Sequence, residues 1–213
     1  MNWRRTYFMT KRKLCLIVIT AIIFFALSSC TEEKEKTDTR SFDAGTLTIS
    51  FDYERQSGSA SNQWAAWIED MDGNYVNTLY ATRWTANGGY RTRPDSIKVW
   101  AEKANLASMT KDEVDAIAGA TPTGGNQVYL WDLTDSGGNM VPQGEYRFFV
   151  EGTLRWKNYV LYSGTVNIGD APHIVTADAE FIYEASDRYA ALAEDSPENN
   201  MIYKVTASFV PAG

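Results

Sequence analysis

The chain has little of what most small enzymes and disulfide-stapled domains rely on. Its 213 residues include only two cysteines and one histidine. Two cysteines exclude a disulfide scaffold, and one histidine excludes His-rich metal sites and most histidine-based catalysis. No G-x-S-x-G elbow and no P-loop occur, and no G-x-G-x-x-G opens a helix after a strand. A hydrolase triad would have to use His173. A carboxylate pair acting on a glycoside stays open, because separation in space cannot be read from a sequence. The expectation is a protein that is not an enzyme. What is present is ordinary folded-protein composition: 44% hydrophobic, 22% charged and 13% aromatic residues. That excludes a disordered polymer and a collagen-like repeat.

Acidic residues are missing as well, but only from the first 29 positions. Arg4, Arg5, Lys11, Arg12 and Lys13 precede the apolar run Leu14–Leu27, LCLIVITAIIFFAL, which only Thr20 interrupts. A basic stretch followed by a short apolar run has the layout of a secretory signal; spanning a bilayer takes ~20 residues. Leu27-Ser28-Ser29-Cys30 resembles the lipobox of bacterial lipoproteins, in which the cysteine thiol is lipidated and becomes the first mature residue. The plainer alternative is an ordinary cleaved signal with an incidental cysteine. On the lipobox reading, residues 1–29 are a signal peptide and Cys15 is discarded. Residues 30–44 form a flexible tether, and 45–213 make one domain held to a membrane through Cys30.

The full chain carries a net charge of −7, yet residues 30–213 retain 15 basic against 27 acidic residues, a net of −12. Such a surface repels nucleic acid and anionic membranes. Glu32 and Glu33, directly after Cys30, resemble the export signal of surface lipoproteins in the Bacteroidetes. A solvated linker facing the periplasm is the alternative, so the location is the cell envelope, periplasm-facing or at the outer-membrane surface.

From Thr46 onward the pattern is mostly that of strands. Leu47, Ile49, Phe51 and Tyr53 alternate with polar residues. Gln63–Glu69 and Tyr75–Tyr80 flank Asp70-Met71-Asp72-Gly73-Asn74, a hairpin with glycine at its turn. Further strands are expected over 126–133, 144–151, 158–168, 173–184 and 201–210. In the last, Met201, Tyr203, Val205, Ala207 and Phe209 make one apolar face. Asp95 is placed to N-cap a helix from Ser96 to about Ala107, with Ile97, Trp100, Ala101 and Ala104 on one face. Thr110 and Glu113 form a capping box opening a short helix to Ile117 or Ala118, which Gly119 and Pro122 would stop. These elements predict an all-β fold, an immunoglobulin-like antiparallel β-sandwich with a short helical insertion, and no second domain.

Several segments carry a family resemblance. Trp67-Ile68-Glu69-Asp70 with Asp72-Gly73, then Val76 with Thr78-Leu79, then Asp115–Pro122 (DAIAGATP) begin it. Trp131-Asp132, Pro142-x-Gly144-Glu145-Tyr146 and Val150-Glu151-Gly152 continue it. Together, over roughly Thr46–Gly169, they resemble the bacterial domain-of-unknown-function family 2271, a periplasmic family of predicted sandwich domains. The portion from Trp131 to Tyr146 also resembles the immunoglobulin-like domain of the flagellar hook-cap protein, which bears on fold rather than function. The family resemblance implies an extracytoplasmic setting beside a flavin transferase that attaches FMN, and beside PepSY-type membrane redox proteins. It implies an accessory or carrier domain of a flavin-dependent electron-transfer system. The competing reading is a non-redox binding or structural module that recognises a protein or glycan partner.

Two site candidates follow. Asp115-Ala116-Ile117-Ala118-Gly119-Ala120-Thr121 resembles the acceptor motif Asp-x-x-Ser/Thr-Gly-Ala-Thr, whose last threonine takes FMN as a phosphoester. The resemblance makes Thr121 the acceptor, with Gly119 and Ala120 leaving room for the transferase and Asp115 orienting. The sequence departs from the motif at Ala118, and a helix C-cap with a turn is the alternative. The second candidate is TRWTANGGYRTRP, expected to be a loop. There Trp84 and Tyr90 offer aromatic faces, and Arg83, Arg91 and Arg93 could receive a phosphate or carboxylate. Trp67, Trp100 and Trp131 sit on apolar periodicities and belong to the core. No metal is expected, since the clusters Asp70-x-Asp72-Gly73-Asn74 and Asp132-x-x-Asp135 do not match an EF-hand and suit turns.

Overall fold

The computed structural model describes residues 45–57, 61–155, 158–182 and 200–212. Cys30, the signal segment, the tether and Trp156 lie outside them. The described residues form ten strands in two sheets with a helical layer, the all-β sandwich expected from the pattern. One sheet has four strands in the order β5 (Gly125–Trp131), β1 (Thr46–Tyr53), β10 (Ile202–Val210) and β8 (His173–Thr176). The other has six, in the order β4 (Ala118–Gly119), β3 (Tyr75–Thr82), β2 (Gln63–Asp70), β6 (Gly144–Arg155), β7 (Asn158–Ile168) and β9 (Asp178–Ile182). Every pairing is antiparallel except β3 with β4, which is parallel.

Alternation builds the main core. Leu47, Ile49, Phe51 and Tyr53 of β1 point inward and meet Trp64, Ala66 and Ile68 of β2 and Phe148 and Val150 of β6. The 173–184 segment is two strands rather than one: β8 pairs with β10 and β9 with β7, so the chain changes sheets at Ala177. The inward face of β10 also differs from strict alternation. Lys204 adopts a left-handed backbone (φ 54°) and the register shifts opposite Ser50 and Asp52. This bulge lets Ile202 face the core on one side of it, and Val205, Ala207 and Phe209 on the other.

The two sheets treat their outer faces differently. In β2, Ala65 and Trp67 point away from the main core, yet both are fully buried. With Ala81 and Phe149 they meet Ile97, Trp100, Ala104, Leu106 and Val114 from the helical insertion, forming a second core. The outer face of the four-stranded sheet presents Thr46, Thr48 and Ser50 of β1, and Thr206, Ser208 and Val210 of β10. Val128 and Leu130 of β5 and Ile174 and Thr176 of β8 complete it. None of these side chains is charged.

The insertion is more broken than one helix from Ser96 to Ala107. It contains α1 (Lys98–Lys103), a 3-10 turn at Leu106–Ser108, and α2 (Lys111–Ile117). Asp95 does not cap α1. The residue at its N-cap is Ile97 in a left-handed conformation (φ 43°), and no side chain of its own segment caps it. The cap comes from the sheet: Val99 N and Trp100 N donate to the two Glu151 carboxylate oxygens at 3.2 and 2.9 Å. At the other end, Lys103 Nζ donates to Glu69 Oε2 at 3.0 Å. Two buried carboxylates, one from β6 and one from β2, hold the helix at both termini. The capping box of α2 is present as expected, with Thr110 and Glu113 exchanging hydrogen bonds.

Candidate functional site

The segment carrying Thr121 begins as α2 ends. From the sequence, Gly119 is expected to stop this helix. Instead Ala118 is the C-cap in an extended conformation, and Ala118 and Gly119 form β4 on the edge of the six-stranded sheet. Gly119 is required for a different reason. A Cβ there would collide with the Tyr80 ring, so the ring lies flat against the glycine backbone. The Tyr80 hydroxyl then donates to Ala120 O at 2.9 Å, and Arg55 Nη1 donates to Pro122 O at 3.2 Å. Thr121 is half-buried between these two clamped carbonyls, and its hydroxyl has no hydrogen-bond partner among the described residues. Asp115 stands apart, exposed on α2 and ion-paired with Lys111 one turn earlier.

Beneath this segment lies an aromatic cluster bridging the sheets. Tyr80 stacks on Trp64 and on Tyr129 at centroid distances of 5.7 and 4.7 Å, and Tyr53 packs on Trp64 at 4.4 Å. Trp64 Nε1 donates to the Tyr129 hydroxyl at 3.2 Å. Burial pushes the Tyr80 phenol up to about 12; the neighbouring Tyr53 phenol adds to this and the Arg83 guanidinium opposes it. Burial likewise raises Tyr53, against the opposing pull of Arg55. These phenols therefore stay protonated at neutral pH, while Arg55 and Arg83 supply positive charge at the same end of the sandwich.

The stretch TRWTANGGYRTRP is not a loop. After β3 it forms a tight π-type turn over Thr85–Gly89 that continues through Tyr90–Thr92, with Thr85, Ala86 and Gly89 buried. Thr85 is tied into the fold through Gln63 Oε1 at 3.0 Å and the Ser96 hydroxyl at 2.8 Å. The turn divides the arginines. Arg83 and Trp84 remain at the end of β3, and the Trp84 ring lies over the Gly89 backbone while half of it (49%) stays exposed. Arg91 sits over the Tyr90 ring at 5.4 Å and donates from Nε to its hydroxyl at 3.1 Å. That pair borders a separate shallow groove of about 240 Å³ beside Leu106, Met109 and Val114. Arg93 is half-buried.

The parallel register of β3 and β4 joins the two candidates. Ala81 aligns with Ala118 and Thr82 with Gly119. Parallel strands leave a sheet at the same end, so Arg83-Trp84 and Ala120-Thr121 emerge side by side. Arg55 was missed by the sequence reading because its contact spans 67 positions. Tyr80 carried no signal beyond strand alternation.

The acid clusters serve turns. Asp70 Oδ1 accepts from Asn74 N, and Asp135 Oδ1 from Gly137 N and Asn139 N, each at 2.8 or 2.9 Å. His173 Nδ1 accepts from Asn167 N at 3.0 Å.

The architecture defines an all-β sandwich domain with one helix-covered sheet and a short segment, residues 120–122, clamped at the edge of that sheet. The family DUF2271, described as a predicted periplasmic protein, matches residues 44–183, and the chain belongs to it. β10 lies beyond the matched stretch although it is an interior strand of the four-stranded sheet. No curated protein and no solved structure matches the chain.

Proposed function

We propose that the protein is a cell-envelope carrier or accessory domain of a flavin-dependent electron-transfer system, anchored through a lipid on Cys30 and carrying FMN on Thr121. The observation that carries this reading is the parallel β3–β4 register, which brings a half-buried hydroxyl, an exposed indole and the Arg83 guanidinium to one end of the sandwich, where Arg55 also reaches Pro122 O. The residues fit the group. Arg55 and Arg83 suit a phosphate, and Trp84 offers a face for an aromatic ring. Bound FMN would supply one- and two-electron exchange.

In the attachment step the Thr121 oxygen attacks the flavin-side phosphorus of a flavin dinucleotide; the new O–P bond forms as the P–O–P bridge breaks, the nucleoside monophosphate departs, and the hydroxyl proton passes to the transferase. The clamps on Ala120 O and Pro122 O hold the hydroxyl in one position while a transferase engages it. The partners on this reading are the flavin transferase and a PepSY-type membrane redox protein. Coexpression with the transferase and intact-mass measurement test it. The expected result is an FMN-sized increment that Thr121→Ala removes and Thr123→Ala leaves in place. No increment, or one that survives Thr121→Ala, overturns it.

A non-redox binding module is the second reading, favoured by the outer face of the four-stranded sheet, where Val128, Leu130, Ile174 and Val210 are exposed and no described segment lies over them.

A further inference from the structure

We infer that the outer face of the four-stranded sheet is a self-association surface, in which two copies of this chain pack sheet against sheet about a two-fold axis along the strands. The inference stands independently of the flavin reading. Its first ground is electrostatic. Residues 30–213 carry a net charge of −12, so two copies repel one another wherever their acids face. Among the described residues the middle of this face carries no charged side chain; charge returns at its two ends, where Lys204 Nζ pairs with Asp52 Oδ2 at 2.9 Å and where Asp132 follows β5 beside Thr46 and Leu130. Like copies meet with little repulsion across the middle of this face.

The second ground is the pattern along one row of the sheet. Leu130 aligns with Thr48, Thr48 with Ser208, and Ser208 with Ile174. The row reads aliphatic, hydroxyl, hydroxyl, aliphatic from either end. A copy turned about an axis between β1 and β10 lays its Ile174 over Leu130 and its Ser208 over Thr48. That is an isologous contact with apolar groups on apolar groups and hydroxyls on hydroxyls. Leu130 and Ile174 are 66% and 72% exposed, which is high for large aliphatics on a flat sheet. Strand spacing of about 4.8 Å and a rise of about 3.4 Å per residue make the patch roughly 15 by 17 Å. Two such patches cover roughly 500 Å² between them, the small end of weak, concentration-dependent contacts.

The test is sedimentation velocity of the full chain in mild detergent, from low micromolar to near-millimolar concentration. Wild type should shift from monomer towards dimer. Leu130→Lys and Ile174→Glu should each weaken the dimer about tenfold or more, with near-ultraviolet circular dichroism unchanged. An equimolar mixture of the two variants should restore it, since the ammonium introduced on β5 of one copy then meets the carboxylate introduced on β8 of the other. A wild type that stays monomeric throughout overturns the proposal; so does a dimer unaffected by either charge, or a mixture that fails to recover. Because the two substitutions lie on opposite edge strands, a folding defect in one is recognised by its altered spectrum while the other still reports.

Discussion

The two sheets of this sandwich share a core but differ on their other faces. On the six-stranded sheet, Ala65, Trp67, Ala81 and Phe149 are roofed by the helical insertion, so β2 is buried on both sides. On the four-stranded sheet no described segment covers the corresponding face, which is built from serine, threonine and four exposed aliphatics. The lesson is that the chain itself supplies the cover for one sheet, and the locks on that cover are polar. Glu151 and Glu69 hold the two ends of α1, and Trp100 Nε1 donates to Thr78 Oγ1 at 2.8 Å. A buried carboxylate accepting backbone N–H groups fixes position more narrowly than apolar contact can.

Substitutions on the two faces should therefore differ most where the roof is thickest. Trp100→Ala should cost about 3–5 kcal/mol in urea unfolding, through the lost indole and the cavity left under α1. Thr206→Ala on the open face should stay within about 0.5 kcal/mol. Equal costs would erase the distinction between the sheets.

The edge of the covered sheet comes next. Gly119→Ala should cost about 1–3 kcal/mol, because the Tyr80 ring must leave the backbone it lies on. Adding Tyr80→Val should recover part of that loss. If Gly119→Ala alone were neutral, the ring contact would not position the Thr121 segment.

The carboxylate lock should also show in the pH dependence. Burial pushes Glu151 from 4.5 in the unfolded chain up to about 7, with the backbone N–H groups of Trp100, Val99 and Lys98 only partly opposing and Glu102 adding to the rise. The native state then holds its proton more tightly than the unfolded state does. Its contribution to stability is largest below about 4.5, falls as pH rises through that window, and levels off above about 7. Thermal melts of Glu151→Gln should lack this slope, so the variant and wild type should diverge across that range. Parallel curves would show that the carboxyl does not titrate there.

The smallest stability change belongs to Leu130→Thr. It should leave the melting temperature within the spread of ordinary surface substitutions while weakening self-association. A large loss of stability would mean that this face is already covered in the monomer.

Much of the sandwich was legible because strand alternation is a local signal. The strands 46–53, 63–70 and 158–168, the hairpin at Gly73 and the Thr110–Glu113 capping box follow from residues that are neighbours in sequence. The errors fall where distant residues decide. A helix start at Asp95 reads well locally, but Glu151 provides the cap from more than 50 positions away. Gly119 reads as a helix stop, but the Tyr80 ring is what requires it. The arginines of 83–93 read as one cluster in a loop, and the buried Thr85–Gln63–Ser96 hydrogen bonds fold that stretch into a turn that separates them. Within the acceptor-like motif, the order of Gly119, Ala120 and Thr121 was visible; Arg55, Tyr80 and the aromatic cluster beneath were not.

The sequence by itself determined the acidic charge of residues 30–213, the period-two burial of the strands and the family, because these depend on composition and on contacts between near neighbours. Only the tertiary structure decided which sheet is roofed and which is bare, and that Thr121 and Trp84 leave the sandwich at one end. Those outcomes depend on strand order and on the parallel register of β3 with β4, and pairings between distant segments leave no periodic trace in the chain.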